Sequence, residues 1–535
     1  MMILRSTLLA SALLATPLAA QNFSPDRIKA DVGFLADDLL EGRNTGTRGY
    51  DLAAAYVASR YAALGLRPGN GDNWYQQVPF GLAALKPDTT NAITIGGKRF
   101  DNGADVVLSG SMLYPDQAMD AEVVFVGYGL EDARYGFNDY KGLDVRGKVV
   151  AYLSDLPEVA PSDITATLGD NRPELAESKG AIGTIALSSP ALLERLPWDR
   201  IRAYGSIPRL RWLRPDGMPH QMAPRLQVGG FLGPAATAAL LAGSPLPSER
   251  LYEAIKDKKH LPKGFTIPGK IRFERHSAIE KTTSPNVLGL LSGSDPKLAD
   301  EVILLTAHLD HDGIVPPENG DSIMNGAMDN AAGIATMLEA ARAFVESGTR
   351  PKRSILFAAL TAEEDGLLGS EYLAEYPTLK GKKVVGVVNL DMPILTYDFQ
   401  DIIAFGAEHS TMGPAVERAA SKAGVKLSPD PIPEEGLFTR SDHYMFVKKG
   451  IPAVFLATGW AGPGKAAAEA FLKDHYHRVS DDMKLPFDWS AGAKFARINF
   501  LIARELADAP DAPRWYEGSF FAKAYAQGAP TAVRR

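Results

Sequence analysis

The chain has 535 residues and contains no cysteine. This absence excludes disulfide bridges, thiol nucleophiles and thiolate metal ligands together. A chain of this length buries enough apolar surface to fold without bridges. Any metal site must therefore be built from histidine and carboxylate side chains.

Long apolar runs and basic clusters are also missing. After the first twenty residues, no run reaches the about 18 apolar residues that a membrane-spanning helix needs. The net charge is −7, and lysine and arginine form no distinct stripe. We therefore expect neither a membrane span nor a nucleic-acid partner. No sequence signal indicates the oligomeric state.

The first twenty residues have the pattern of a secretory signal peptide. Arg5 precedes an apolar stretch at 8–14, and Pro17 is followed by the small residues Ala19 and Ala20. We expect cleavage after Ala20 and export to the periplasm or the medium of a bacterium. An exported chain without cysteine fits that compartment.

The remaining chain is ordinary globular material, with 45% apolar and 23% charged residues, and its length implies at least two domains. Strand-like segments rich in valine begin near residue 121 and are followed by a region rich in proline, glycine and arginine. We predict four parts after the signal peptide: the first part of a main domain (21–118), a β-rich insert (119–270), the rest of the main domain (271–510) and a C-terminal tail (511–535).

The segment 301–392 has the clearest pattern in the chain. Three apolar runs, at 301–307, 354–360 and 383–390, are typical of buried parallel strands. Carboxyl ends of parallel strands meet at one edge of a sheet, and functional groups collect there. Each run ends directly on ionisable residues, which are His308 and Asp310, then Glu363 and Glu364, and finally Asp391.

Strands and helices continue to alternate after this segment, with short connections. The pattern predicts an α/β fold with a mixed, largely parallel sheet sandwiched by helices. The sequence GAMDNAAG (326–333) adds Asp329 at the start of a predicted helix. Asp329 therefore joins the same edge.

Four carboxylates in one buried place would raise one another's pKa values unless a cation compensates them. Imidazole and carboxylate without thiolate suit Zn²⁺, with Mn²⁺ or Co²⁺ as substitutes, better than Ca²⁺ or Mg²⁺. Two histidines and several acids suffice for two ions that share one carboxylate. The sequence thus predicts a two-metal site.

Six motifs in this order and spacing resemble the M28 family of zinc aminopeptidases with an inserted protease-associated domain. They are AHLDH (307–311), NGDSIMNGAMDNAAG (319–333), TAEEDGLLGS (361–370), VNLDM (388–392), RSDHYMF (440–446) and HYHRVSDD (475–482). Weaker similarity extends to FLADDLLEGRNTGTRG (34–49). The resemblance implies the phosphorylase/hydrolase-like fold of zinc exopeptidases.

The resemblance also implies a role for each site residue. His308 and Asp391 would be terminal ligands of one zinc, and Glu364 and His477 would bind the other. Asp329 would bridge both ions. His475 competes with His477, and the Tyr-His pair favours His477.

Further implied roles concern the chemistry. Glu363 would be the general base, Asp310 would orient the His308 ring, and Tyr476 would donate a hydrogen bond to the oxyanion. The family commonly has a cis peptide bond after the bridging aspartate. His311 and His443 are candidate contacts of the substrate.

The implied activity is hydrolysis of the N-terminal peptide bond of peptide substrates, with the insert limiting access to the cleft. Three alternatives remain open at this point. The first is a glutaminyl cyclase, since glutaminyl cyclases resemble the family but use one zinc. The second is a carboxypeptidase, because some relatives with this insert remove C-terminal acidic residues, and arginines in the segment 200–214 would offer contacts to such residues. A binding protein with an inactive peptidase fold is the third.

Overall fold

The computed structural model describes residues 22–534, without the side chains of Tyr204 and Ser206. The predicted signal peptide (1–20) lies outside the described residues. None of the helices within 22–534 combines the length and the apolar character needed to cross a membrane.

Helices occur throughout the described residues, and several begin after a residue whose side chain accepts a hydrogen bond from the first turn. The second helix, for example, begins after Thr47, whose hydroxyl accepts a hydrogen bond from the Tyr50 N–H, and ends before the left-handed Gly65. The α-helices are α1 (Pro25–Leu35), α2 (Arg48–Ala63), α3 (Ser162–Asp170), α4 (Arg172–Ser178), α5 (Pro190–Arg195), α6 (Trp198–Ser206), α7 (Pro234–Leu241), α8 (Ser248–Ile255), α9 (Ala332–Glu346), α10 (Leu368–Glu375), α11 (Met412–Ala423), α12 (His443–Val447), α13 (Gly464–Asp474), α14 (Trp489–Asp508) and α15 (Phe520–Tyr525).

The strands include the three apolar runs of the central segment, two of them with the predicted bounds. In chain order they are β1 (Arg67–Pro68), β2 (Tyr75–Leu85), β3 (Ala92–Ile95), β4 (Lys98–Asp101), β5 (Val106–Val107), β6 (Asp116–Phe125), β7 (Glu131–Asp132), β8 (Phe137–Asn138), β9 (Val149–Leu153), β10 (Gly183–Leu187), β11 (Arg209–Trp212), β12 (Val228–Leu232), β13 (Phe265–Leu291), β14 (Glu301–His308), β15 (Gly313–Glu318), β16 (Asp321–Met324), β17 (Ser354–Leu360), β18 (Lys383–Leu390), β19 (Asp401–Phe405), β20 (Lys426–Ser428) and β21 (Ala453–Thr458).

The main sheet has the order β11-β2-β13-β17-β14-β18-β21-β19-β20. Its four central strands, β17, β14, β18 and β21, are parallel. Their side chains are mostly apolar and almost all buried on both faces, as expected for parallel strands covered by helices. The register pairs His308 with Leu360, so β14 and β17 end side by side.

Helices cover both faces of this sheet. On one face, α1, α2, α9 and α14 enclose the largest apolar core of the described chain. On the other face, α10, α12 and α15 pack with the aromatic residues of the C-terminal tail. The α/β class with a mixed, largely parallel sheet between helices is therefore confirmed.

A second sheet has the order β4-β3-β13-β6-β9-β10-β12-β5 and its own apolar core. It begins at Ala92, earlier than the predicted insert boundary at residue 119. The 27-residue strand β13 explains the difference, because its first half belongs to this sheet and its second half to the main sheet. One continuous strand thus connects the two cores, and sequence periodicity does not show where one sheet gives way to the other.

Buried Asn286 on β13 fixes the turn that follows β17. Its side-chain oxygen accepts a hydrogen bond from the Thr361 N–H at 3.0 Å. Its amide donates to the Gly369 carbonyl at 2.9 Å and to the Gln76 side-chain oxygen at 3.0 Å. Three segments are therefore joined at one fully buried side chain.

His443, at the start of α12, is completely buried between the rings of Phe438 and Phe455. Its Nε2–H donates to the Phe438 carbonyl at 2.8 Å. Burial lowers the pKa of His443 to about 3, so the ring is neutral near pH 7. The expectation that His443 contacts the substrate is wrong, because its ring is part of the core and reaches no open surface.

Replacing Asn286 by leucine should lower the free energy of unfolding by about 2–4 kcal/mol, because the Thr361 N–H and the Gly369 carbonyl would be left buried without partners. Denaturant unfolding would measure the loss. The volume-conserving Leu288→Met in the same strand should cost less than about 1.5 kcal/mol. Equal losses in the two variants would contradict the special role of Asn286.

His443 should destabilise the protein in mild acid. Because its pKa is lowered in the folded state, the unfolded chain binds an extra proton below about pH 6.5, and stability falls as the pH drops from there towards 3. Between pH 7.5 and 5 the wild type should lose about 2 kcal/mol more than His443→Gln, whose amide keeps a donor and does not titrate. If the free energies of unfolding of the two proteins fell equally between pH 7.5 and 5, the prediction for His443 would be refuted.

Candidate metal centre

The candidate centre lies where the parallel strands β14, β17 and β18 end. His308 is the last residue of β14, Asp391 directly follows β18, and Glu363 and Glu364 lie in the turn after β17. The segment before α9 brings Asp329 to the same place. Strand direction therefore collects His308, Asp391 and the two glutamates at one edge of the sheet, and the segment before α9 adds Asp329.

One group of donors surrounds the His308 ring, which is 1% exposed. Its Nε2 atom lies 3.0 Å from Asp391 Oδ1 and 3.2 Å from Asp329 Oδ1. Ser441, which was not predicted, donates from its hydroxyl to Asp391 Oδ2 at 2.6 Å. This group brings together the residues that the resemblance implies as ligands of one zinc.

A second group surrounds His477. Its Nε2 atom lies 3.3 Å from Glu364 Oε2 and 3.4 Å from Asp329 Oδ2. The two oxygens of Asp329 thus face the two imidazoles separately, as a bridging carboxylate requires. His475 makes a different contact, from its Nδ1 to the Ser480 hydroxyl at 3.0 Å.

These donor groups fit zinc. Donor atoms about 2.0–2.1 Å from a tetrahedral Zn²⁺ lie about 3.3 Å apart, and the four distances above are between 3.0 and 3.4 Å. Imidazole nitrogen and carboxylate oxygen without sulfur are also the donor types that zinc, manganese and cobalt accept. The site residues therefore suit such ions.

Asp310 acts on its neighbours through different atoms than predicted. His308 Nδ1 lies 3.2 Å from the backbone carbonyl of Asp310, but 4.0 Å from its carboxylate. The carboxylate accepts hydrogen bonds from the backbone N–H groups of Glu363 and Glu364, at 3.2 and 3.3 Å. Asp310 therefore holds the turn with both glutamates and orients the His308 ring through its main chain.

Two further carboxylates position the candidate ligands and were missed by the sequence analysis. Asp312 Oδ2 lies 3.4 Å from the Nδ1 atom of His477. Asp481, fully buried, accepts hydrogen bonds from the N–H groups of Met328 and Asp329 at 2.8 and 3.0 Å. Asp312 directly follows the motif at 307–311, and Asp481 lies inside the motif at 475–482. Only the folded chain shows which loops these carboxylates connect.

His311 is buried at the centre and does not lie on an open cleft wall. Its Nδ1 atom is 2.6 Å from Glu364 Oε1, so it orients a candidate ligand. The structure therefore replaces the expected substrate contact of His311 by a contact within the centre.

The main chain takes unusual conformations beside the candidate ligands. Ala362, Met392 and His477 have positive φ values of 55°, 46° and 51°, and the peptide bond between Asp329 and Asn330 is cis, as the resemblance predicts. Left-handed backbone is unfavourable for residues other than glycine and tends to occur at functional sites. Three loops of this edge thus depart from ordinary geometry where ionisable groups meet.

Glu363 differs from the other acids in its contacts and its pKa. Its carboxylate makes no hydrogen bond or ion pair with another residue of the range 22–534. Burial raises the pKa of Glu363 well above its usual value, and the Asp391 and Glu364 charges add to the rise against the opposing effect of His308. This side chain is suited to gain and release a proton.

Asp329 and Tyr476 have opposite electrostatic surroundings. Burial works to raise the pKa of Asp329, but hydrogen bonds from His308 and His477 outweigh it and hold that pKa well below its usual value. Burial and the nearby Asp329 charge raise the pKa of Tyr476 well above its usual value. Asp329 is therefore ionised and the Tyr476 hydroxyl keeps its proton.

Comparison with known proteins agrees with this geometry. Residues 286–503 match the model of Peptidase family M28. Aminopeptidase NAALADL1 of Mus musculus is 32% identical over 138 residues, which are 25% of this chain and 17% of the relative. A probable zinc metalloprotease of Pyricularia oryzae is 26% identical over 279 residues, which are 46% of this chain and 54% of the relative. The chain thus spans less than two thirds of either curated relative.

A solved structure shares the fold across most of the chain. It is the aminopeptidase from Aneurinibacillus sp. strain AM-1, with a TM-score of 0.52 and 17% identity, and the match covers 92% of this chain and 95% of that one. The family match contains the candidate ligands, from the end of β14 to the His477 loop. The domain at 286–503 therefore matches the model of Peptidase family M28 and contains the whole candidate centre.

Proposed function

We propose that the chain is a zinc-dependent exopeptidase that removes N-terminal residues from peptides. One observation carries the proposal: the Glu363 carboxylate, without a bonded partner in the described chain, lies beside two donor groups that share Asp329. A lone glutamate beside ordinary ion pairs would be bonded to them. Here it is left available for chemistry.

The proposed cofactor is a pair of Zn²⁺ ions, with Mn²⁺ or Co²⁺ as substitutes. His308 and Asp391 would bind one ion, His477 and Glu364 the other, and Asp329 both. When bound, such ions polarise the scissile carbonyl and lower the pKa of water.

Glu363 would take a proton from the attacking water and pass it to the leaving amine. Its raised pKa supports this role, because a carboxylate with a higher pKa is a stronger base toward the attacking water. The Tyr476 hydroxyl, kept protonated by its burial, would donate a hydrogen bond to the developing oxyanion. The acids of the site would attract the positively charged α-amine of a peptide.

The predicted insert (119–270), whose strand β11 joins the main sheet beside β2, would form a roof over the cleft as a protease-associated-like domain. Leu210 and Trp212 of β11 belong to the same apolar cluster as Ala362, which directly precedes Glu363. The Trp212 indole N–H also donates to Glu371 of α10 at 2.7 Å. These contacts support a role in restricting access, and export to the periplasm or medium remains part of the proposal.

Glu363→Gln should lower kcat on an amino-acyl anilide by about 10²–10⁴-fold, because the amide cannot accept a proton. Zinc content, measured by elemental analysis, should stay near that of the wild type. The matched variant Glu364→Gln should instead lose bound zinc, since it removes a candidate ligand. Normal turnover by Glu363→Gln would refute the general-base assignment.

Peptide ends should distinguish the proposed activity from its alternatives. The zinc-loaded protein should shorten a peptide with a free N-terminus and a C-terminal amide, and should leave the N-acetylated peptide with a free C-terminus intact. Mass spectrometry would identify the released residue. Trimming of the acetylated peptide would indicate a carboxypeptidase, and loss of ammonia from an N-terminal glutamine would indicate a cyclase.

A further inference from the structure

Arg43 is a completely buried cation in a segment that the proposed chemistry does not use. It lies in the motif EGRNTG before α2, and its side chain is 1% exposed. In the described chain it has no carboxylate within ion-pair distance. A buried guanidinium without a directly paired acid needs another explanation.

All hydrogen bonds of its side chain go to main-chain carbonyls. Nε donates to Leu309 at 2.9 Å, Nη2 donates to Gly326 at 3.1 Å, and Nη1 donates to Asn325 at 2.6 Å. Nη1 also bonds the Leu35 carbonyl at the end of α1. One planar group thus joins three separate segments.

Two of those segments carry the candidate ligands. Leu309 lies between His308 and Asp310, and residues 325–326 directly precede the turn that bears Asp329. The main chain of Arg43 contributes as well, because its carbonyl accepts a hydrogen bond from the His311 N–H at 3.3 Å. Arg43 therefore connects the two ligand-bearing loops and fixes the distance between them.

Charge adds to the geometry. Burial lowers the pKa of Arg43 to about 10, and the charges of Asp481, Asp310, Asp329 and Glu364 oppose that decrease. The guanidinium is therefore positively charged at pH 7. It offsets part of the mutual repulsion of these acids.

The backbone around Arg43 is specialised to bury the side chain. Glu41, Gly42 and Arg43 have φ values of 49°, 69° and 51°, so three consecutive residues are left-handed. A Cβ atom on Gly42 would lie 2.5 Å from the Met324 carbonyl oxygen. The turn therefore brings Arg43 inside only because residue 42 is glycine.

We propose that Arg43 is a positioning residue that holds the two ligand-bearing loops at the zinc-binding distance before any metal binds. The inference rests on the proposed metal site but not on the peptidase reaction. Lysine cannot replace the guanidinium, because one ammonium cannot reach carbonyls in four directions.

The test compares Arg43→Lys with Arg353→Lys in the full chain. Arg353 is equally buried and also donates to main-chain carbonyls, but it precedes β17 at the opposite edge of the sheet. Chelator competition should show a 10–100-fold weaker zinc affinity for Arg43→Lys and an affinity within about threefold of wild type for Arg353→Lys. Unchanged affinity in Arg43→Lys, or equal losses in both variants, would overturn the proposal.

Hydrogen exchange of the wild type supplies a measurement that does not depend on a variant folding. In zinc-free protein, amides of residues 309–311 and 325–329 should already be protected, and added zinc should change them little. Free exchange that zinc alone suppresses would overturn the proposal. If the wild type takes up no zinc at all, the proposed function fails, while the exchange pattern still tests the role of Arg43.

Discussion

Repulsion between carboxylates at one buried edge of the main sheet is the constraint on which the rest of this structure depends. Parallel strands and the turn before α9 bring Asp329, Glu363, Glu364 and Asp391 together, and like charges in a poorly solvated place raise one another's pKa values. Imidazole rings, main-chain N–H groups and the Arg43 guanidinium compensate part of this negative charge. The remainder is what makes the edge suited to divalent cations.

The supporting groups connect loops that are far apart in the chain. Asp481 bonds the backbone before and at Asp329, Asp310 bonds the backbone of both glutamates, and Ser441 bonds Asp391. Asp329, Glu364 and Asp391, or their backbones, are thus each held by a residue from another segment. Outer contacts of this kind set the orientation and affinity of metal ligands, so the site is a property of several loops together.

Much of the fold could be read from residue pattern. The runs at 354–360 and 383–390 coincide with β17 and β18, because buried parallel strands are continuous apolar segments bounded by polar residues. The insert boundary could not be placed, since the single continuous strand β13 belongs to both sheets. The role of His443 was mispredicted because a motif shows that a histidine is present but not where its ring lies. The ring packs between Phe438 and Phe455.

The sequence by itself determined which donor types are present and placed several of them at the ends of strands. This was possible because chain direction and apolar periodicity are local properties that can be read directly from the residues. Only the tertiary structure decided which donors face one another and which atoms make each contact, as with the backbone carbonyl of Asp310 and the carboxylates of Asp312 and Asp481. The contacts of Asp481 join residues 152 and 153 positions apart. Their existence depends on how loops pack, and no spacing along the chain records that packing.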